Sequence, residues 1–108
     1  MNPVQPILPR LLRLSAADNV ATVTATAEKG AELELDRQTK LILLNRISVG
    51  HKVAIRDIAA GEKVVKFGCP IGSATRAIAA GEHVHTHNLK SDYIPTFTLE
   101  EGGKFLKG

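Results

Sequence analysis

With 108 residues, 44% of them hydrophobic and 23% charged, the chain has the make-up of an ordinary soluble globular protein with one domain and one modest core. Its few aromatic residues are Phe67, Tyr93, Phe97 and Phe105, so the core falls to Val, Ile, Leu and Ala, and the stacking platforms that nucleic-acid bases need are missing. A net charge of +3 suits an anionic small molecule or an acidic partner better than a polynucleotide, and one cysteine, Cys69, excludes an internal disulfide and points to a reducing compartment.

Residues 1–11 carry three prolines and read as a loose N-terminal segment. The opening MNPVQPILPRLLRLS is broken by Arg10 and Arg13 and does not read as a signal peptide; no apolar run approaches the roughly 20 residues that cross a bilayer. A cytoplasmic protein is the expectation.

From residue 12 to 90 the chain reads as one all-β domain. Strand-like alternation runs through Asn19–Thr26, Glu32–Asp36, Lys52–Ile55, Lys63–Phe67 and His83–Leu89, at roughly 10-residue spacing. Between them, Asp36–Arg46 reads either as a short helical piece or as a buried strand. Cys69, in FGCPIG, reads as a small turn or core residue. An internal repeat supports this reading. RDIAAGEKV (Arg56–Val64) and RAIAAGEHV (Arg76–Val84) agree at seven of nine positions; ISVGHKV (Ile47–Val53) and AEKGAEL (Ala27–Leu33) are looser copies. The common unit is an aliphatic residue, two further residues, a glycine suited to positive φ, two polar residues, then Val or Leu restarting a strand. The unit stops before residues 91–108, where Gly102-Gly103 interrupts a tail that is either untethered or a docking strap.

Three of the four histidines fall in GEHVHTHN. In an extended strand His83, His85 and His87 would share one face, spaced by about 6.6 Å. The unremarkable reading is polar residues on the wet face of an edge strand. The repeat argues otherwise, since His85 and His87 replace Val65 and Phe67 of the sister copy. Trading two buried apolar side chains for imidazoles gives up about 3 kcal/mol. Such imidazoles can bind a divalent ion or serve as a general base near neutral pH. His51 follows a turn glycine, and Asp18-Asn19 reads either as an Asx-type turn or as a carboxylate and amide for a ligand. Lys52, Arg56, Lys66 and Arg76 could hold a carboxylate or stand as solvated surface. No phosphate-binding glycine loop, nucleophile elbow or paired-cysteine zinc pattern is present in the sequence.

DNVA (Asp18–Ala21), GHKVAIRDIAAGE (Gly50–Glu62), the V-K-F-G-x-x-I-G-x-A-T pattern (Val65–Thr75) and IAAGEHVHTHNL (Ile78–Leu89), in that order, resemble the SAF-type domain of altronate and galactarate dehydratases, including two-subunit relatives such as sulfolactate sulfo-lyase. The resemblance implies a β-clip fold and a small subunit or N-terminal domain of a hydroxy-acid lyase. It implies β-elimination assisted by a divalent metal, iron by expectation, in a site completed by a large catalytic subunit. On that implication His51, His85 and His87 are catalytic, with His85 and His87 as metal ligands. Asp18, Asn19, Lys52, Arg56 and Asn88 are then the expected contacts to a sugar-acid or hydroxy-acid substrate. Many members of that family carry His-Pro shortly before DNVA where this chain has Ser15-Ala16, which removes one group if that histidine belongs to their site. The competing expectation is a non-catalytic carbohydrate-binding or subunit-interaction module, because such a fold alone does not specify chemistry. Homo-oligomerisation is open on either reading.

Overall fold

Each copy of the repeat folds into the same device. In the computed structural model, which describes residues 8–92, the four repeat glycines all take positive φ: Gly30 at 87°, Gly50 at 83°, Gly61 at 83° and Gly81 at 91°. A side chain at such a φ is strained, and glycine avoids this. The next residue closes each turn by donating its N–H three residues back: Ala31 to Glu28, His51 to Ser48, Glu62 to Ala59 and Glu82 to Ala79, all at 2.9–3.0 Å. The aliphatic residues that open the units, Ala27, Ile47, Ile58 and Ile78, and those that close them, Leu33, Val53, Val64 and Val84, are all buried.

The units pair two by two. Ala27 and Ile47 exchange backbone hydrogen bonds of 2.9 and 2.8 Å, and Ile58 and Ile78 exchange two of 2.8 Å. Around these bridges the described residues form nine short strands: β1 (Leu11–Leu12), β2 (Val20–Val23), β3 (Glu32–Glu34), β4 (Lys40–Ile42), β5 (Lys52–Ala54), β6 (Lys63–Lys66), β7 (Cys69–Ala74), β8 (His83–Val84) and β9 (Leu89–Lys90). They form antiparallel sheets in the orders β1-β2-β5-β8, β3-β4 and β6-β7-β9. No helix occurs among the described residues, so the all-β expectation holds. Nor is any described helix long and apolar enough to cross a membrane.

The central sheet is buried on both faces. Ala21, Val23, Val53 and Ile55 belong to one core with Leu33, Leu41, Leu43 and Ile47; Val20, Ala54 and Val84 belong to a second with Ile58, Val64, Ala74 and Ile78. That is why β2 and β5 place apolar residues side by side, Val20-Ala21 and Val53-Ala54, instead of alternating.

Of the two readings of Asp36–Arg46 the strand holds: Asp36 Oδ1 accepts the N–H groups of Gln38 and Thr39 in a tight turn, and β4 follows with Leu41 buried. Several other expectations are corrected. Strand β7 runs through Pro70 and Gly72, residues that usually interrupt strands. It survives because β9 pairs only with Ser73 and Ala74, beyond Pro70, and because a Cβ at Gly72 would collide with the Lys90 carbonyl oxygen. Cys69 is an exposed strand residue, neither turn nor core. The His83–Leu89 strand stops at Val84 and resumes at Leu89. Leu11, in the segment read as loose, pairs with Val23, and Asp92, in the tail, holds Lys63 Nζ at 2.7 Å. Residues 1–7 and 93–108, the rest of these end segments apart from residues 8–10 and Ser91, lie outside the described residues.

Asp18 and Asn19 fasten the start of β2 to the β6–β7 hairpin. Asn19 donates its amide to the Lys63 carbonyl and accepts the Val65 N–H, both at 2.8 Å, and Asp18 accepts the Gly68 N–H at 2.7 Å. Burial opposes the charge on Asp18, but backbone N–H groups of Gly68, Phe67, Ser15 and Leu14 outweigh it and hold the carboxyl below its ordinary pKa.

Two outcomes follow for stability. Asn19→Ala leaves two backbone groups without partners and lowers the unfolding free energy by about 2–4 kcal/mol in a urea titration. Because the folded pKa of Asp18 is depressed, its contribution is fully present above the unfolded carboxylate pKa of about 3.9 and is lost as pH falls through the folded value. The wild-type melting temperature therefore drops more steeply below about pH 4 than that of Asp18→Asn, which a pH series of thermal melts checks.

Candidate metal centre

The register between β5 and β8 brings the histidines together. Val53 stands opposite His83, so their side chains share a face, and His51, two residues before Val53, projects to the same side. His51 Nδ1 and His83 Nε2 lie 3.0 Å apart. At that separation two bare lone pairs repel, as do two N–H groups, so one proton sits between the rings.

His85 reaches the same place by a different route. Instead of continuing β8 the chain turns, with the Asn88 and Leu89 N–H groups donating to the His85 carbonyl at 3.0 and 2.9 Å. The fully buried Asn88 side chain secures the turn: Oδ1 accepts the His85 N–H at 3.0 Å, and Nδ2 donates to the His83 carbonyl at 2.9 Å. On the other side of β8, Asn45 Oδ1 accepts the His83 N–H at 2.9 Å. The His85 ring lies 5.1 Å from that of His51 and 5.7 Å, nearly parallel, from that of His83.

One ligand atom each from His51, His83 and His85 lies within 4.8 Å of the others. Neutral imidazoles suit first-row ions such as iron, zinc, copper and nickel. Three protein ligands with further positions open is the pattern of catalytic rather than structural sites. The donor set therefore fits a divalent ion, which would take the place of the proton shared by His51 and His83. His51 and His83 are half-buried, and His85 is exposed, so the cluster opens at the surface. Two surface depressions of about 430 and 470 Å³ are lined by other residues.

His83 is the member of this cluster that the expected catalytic and metal-ligand sets left out. It occupies the position of Lys63 in the sister repeat, so the exchange of one polar residue for another carries no signal. The informative feature was its two-residue spacing from His85. His87, expected as a ligand, is exposed with its ring 5.4 Å from that of His83 and lies outside the three-ligand group. The chain turns after Val84, so the single-face alternation that would have aligned His87 does not persist.

The expected substrate contacts separate. Asp18, Asn19 and Asn88 spend their side chains on backbone groups, as described. Arg56 is paired with Glu62 at 2.6 Å, and the sister repeat matches this with Arg76 and Glu82 at 3.4 Å. Of the two expected cationic contacts, Lys52, beside His51, is the one without an ion pair among the described residues. Burial, and then the positive charge of Lys66, lowers its pKa. Burial likewise lowers the pKa of His83, with further effects from His51, His87, His85 and Lys52.

Fold and site together define a small antiparallel β domain that carries an open imidazole cluster. The family model of the altronate/galactarate dehydratase SAF domain matches residues 9–92, and the chain belongs to that family. It is 44% identical to altronate dehydratase of Escherichia coli (strain K12) over 81 residues, 75% of this chain but 16% of that protein. It is 42% identical to (2R)-sulfolactate sulfo-lyase subunit alpha of Chromohalobacter salexigens over 62 residues, 57% of this chain and 66% of that subunit. Galactarate dehydratase (L-threo-forming) of Escherichia coli (strain K12) is 33% identical over 73 residues, 14% of its length. The chain thus spans a small part of the dehydratases and about two thirds of the sulfo-lyase subunit.

The depressed pKa of His83 makes a directional prediction. The folded state favours its neutral ring, so stability is lost as pH falls from the unfolded imidazole value of about 6.5 towards the lower folded one. Ring-proton NMR of the metal-free chain should show His83 titrating below that value, and removing the neighbouring charge in Lys52→Gln should move it upward.

Proposed function

We propose that this chain is the SAF portion of a metal-assisted hydroxy-acid lyase, of the altronate or galactarate dehydratase or sulfo-lyase kind, and that a larger chain completes its active site. The observation that carries the proposal is the convergence of His51, His83 and His85. Family membership supports the reaction class, and the small share of the dehydratases covered by this chain supports a site completed elsewhere. The named sulfo-lyase relatives are alpha subunits, which supports division of the enzyme between chains.

In this reading His51, His83 and His85 hold the ion, and iron is the expected metal. When bound, a divalent ion supplies Lewis acidity that weakens the bond to the departing β-hydroxyl. His87, exposed beside His83, is placed to exchange a proton with the substrate at a ring nitrogen. Asn45 and Asn88 fix the backbone on which His83 and His85 ride, so the imidazoles are oriented before anything binds. The open surface leaves substrate enclosure to the larger chain. A single exposed cysteine is compatible with the reducing cytoplasm proposed for such an enzyme.

The test uses two readouts. Calorimetric titration of the chain with Co²⁺ should give one ion per molecule. Single changes His51→Ala, His83→Ala or His85→Ala should weaken binding at least tenfold, while His87→Ala leaves affinity within about threefold. Reconstituted with its large chain, the enzyme should lose turnover in all four variants, and the small chain alone should show none. Co²⁺ binding that survives His51→Ala and His83→Ala together, or turnover by the isolated chain, overturns the reading.

A further inference from the structure

The β6–β7 hairpin turns on Phe67 and Gly68, which sit at φ 53° and 79°. A two-residue turn with both centres at positive φ favours Asn before Gly, and a bulky side chain at the first centre is strained. Phe67 is the one non-glycine residue with positive φ among the described residues, yet its side chain stands at the surface, 40% exposed. Burial therefore does not account for its presence. The ring carries the Lys66 ammonium, 5.1 Å from its centroid, but an exposed cation–π contact is weaker than the cost of such a backbone. Strain kept at an exposed aromatic points to something the ring meets outside the chain.

The tip is clamped to the turn that precedes β2. One oxygen of the buried Asp18 carboxylate accepts the Gly68 N–H at 2.7 Å, and the other accepts the Ser15 N–H at 3.3 Å. The two segments touch, since a Cβ at Gly68 would lie 3.6 Å from the Ser15 side chain. Leu14, 69% exposed, and the exposed Ala16, Ala17 and Phe67 therefore belong to one apolar surface and are not scattered single residues. Residues 13–17 and 66–70 hold two cations, Arg13 and Lys66, and no carboxylate. Lys66 is half-buried and forms no ion pair among the described residues. A partly desolvated cation beside an aromatic ring calls for an anion from elsewhere.

We propose that this surface, with Phe67 at its centre, docks the larger chain of the lyase, which offers an apolar pocket to the ring and a carboxylate to Lys66. The proposal rests on the two-chain reading above and adds where the chains meet. An aromatic anchor held on a rigid turn, with a charge at its edge, has the make-up of the few residues that carry most of an interface's affinity. Its place in the fold suits the role. The hairpin meets the chain where β2 begins, the Asn19 N–H donating to the Val65 carbonyl at 3.2 Å. His51 meets it where β2 ends, its carbonyl accepting the Val23 N–H at 3.0 Å. Docking at the tip thus leaves the imidazoles open to substrate.

The test is a calorimetric titration of the full chain with its large chain at low and high salt, paired with thermal melts of the full chain alone. Phe67→Asn suits the turn better, so it should melt at a higher temperature than wild type while its affinity for the large chain falls at least tenfold. Lys66→Gln should weaken association and flatten its salt dependence, and Lys66→Arg should restore both. Co²⁺ binding should stay within about twofold of wild type in each variant, so docking and the metal site are read separately. Unchanged affinity in the doubly substituted Phe67→Asn/Lys66→Gln chain overturns the proposal and leaves the lyase reading standing. A lower melting temperature of Phe67→Asn with unchanged affinity assigns the ring to packing within the chain and overturns it as well. Failure of the wild-type chain to associate at all overturns the two-chain reading with it. A dimer of the chain alone in sedimentation, lost in Phe67→Asn, overturns the choice of partner in favour of a second copy.

Discussion

The pairing of β5 with β8, with Val53 opposite His83, is the constraint on which the site depends. Side chains alternate across a strand, so a slip of one residue would bury His83 in the wrong core and send Val84 to the surface. The slip is prevented by the hydrophobic demand at both ends of the repeat unit. Val53 and Val84 are fully buried in different cores, one on each face of the sheet. The apolar pattern therefore fixes the imidazoles, and the 3.0 Å contact between His51 and His83 is its consequence.

A second constraint acts after Val84. The sister repeat continues β6 through Val65 to Lys66, whereas the histidine copy breaks into a turn. The difference traces to Asn88, whose buried amide engages the His83 carbonyl and the His85 N–H, groups that a continuing strand would present to a neighbour. Two copies of nearly one sequence thus diverge where an amide side chain competes with the ladder for backbone partners. One copy ends in a strained hairpin tip carrying Phe67, and the other in the turn carrying His85.

Much of the fold was legible in the sequence. The glycine turns, the buried aliphatic residues at each end of the repeat and five of the strand positions all follow from periodicity and from the conformational freedom of glycine. What stayed hidden has physical reasons. β7 contains Pro70 and Gly72, and its tolerance of them depends on where β9 ends, a tertiary fact. The strand through the histidines was overextended because alternation is blind to a side chain that captures backbone groups three and five residues away. The site was half legible. His85 and His51 were singled out, yet the part played by His83 depends on a cross-strand register that no local pattern specifies. Arg56 shows the reverse case, a cation that resembled a ligand group until its partner Glu62, six residues on, was seen to hold it.

The central claim is that three imidazoles, from the residue before β5, from β8 and from the turn after β8, make one metal site. Proton NMR of the Co²⁺-loaded chain tests it most directly, because the paramagnetic ion shifts the ring N–H signals of its own histidine ligands far outside the ordinary range. The account predicts three such signals, assigned by substitution to His51, His83 and His85. Signals assigned to His85 and His87 without His51 and His83, or no shifted imidazole signal at all, would contradict it.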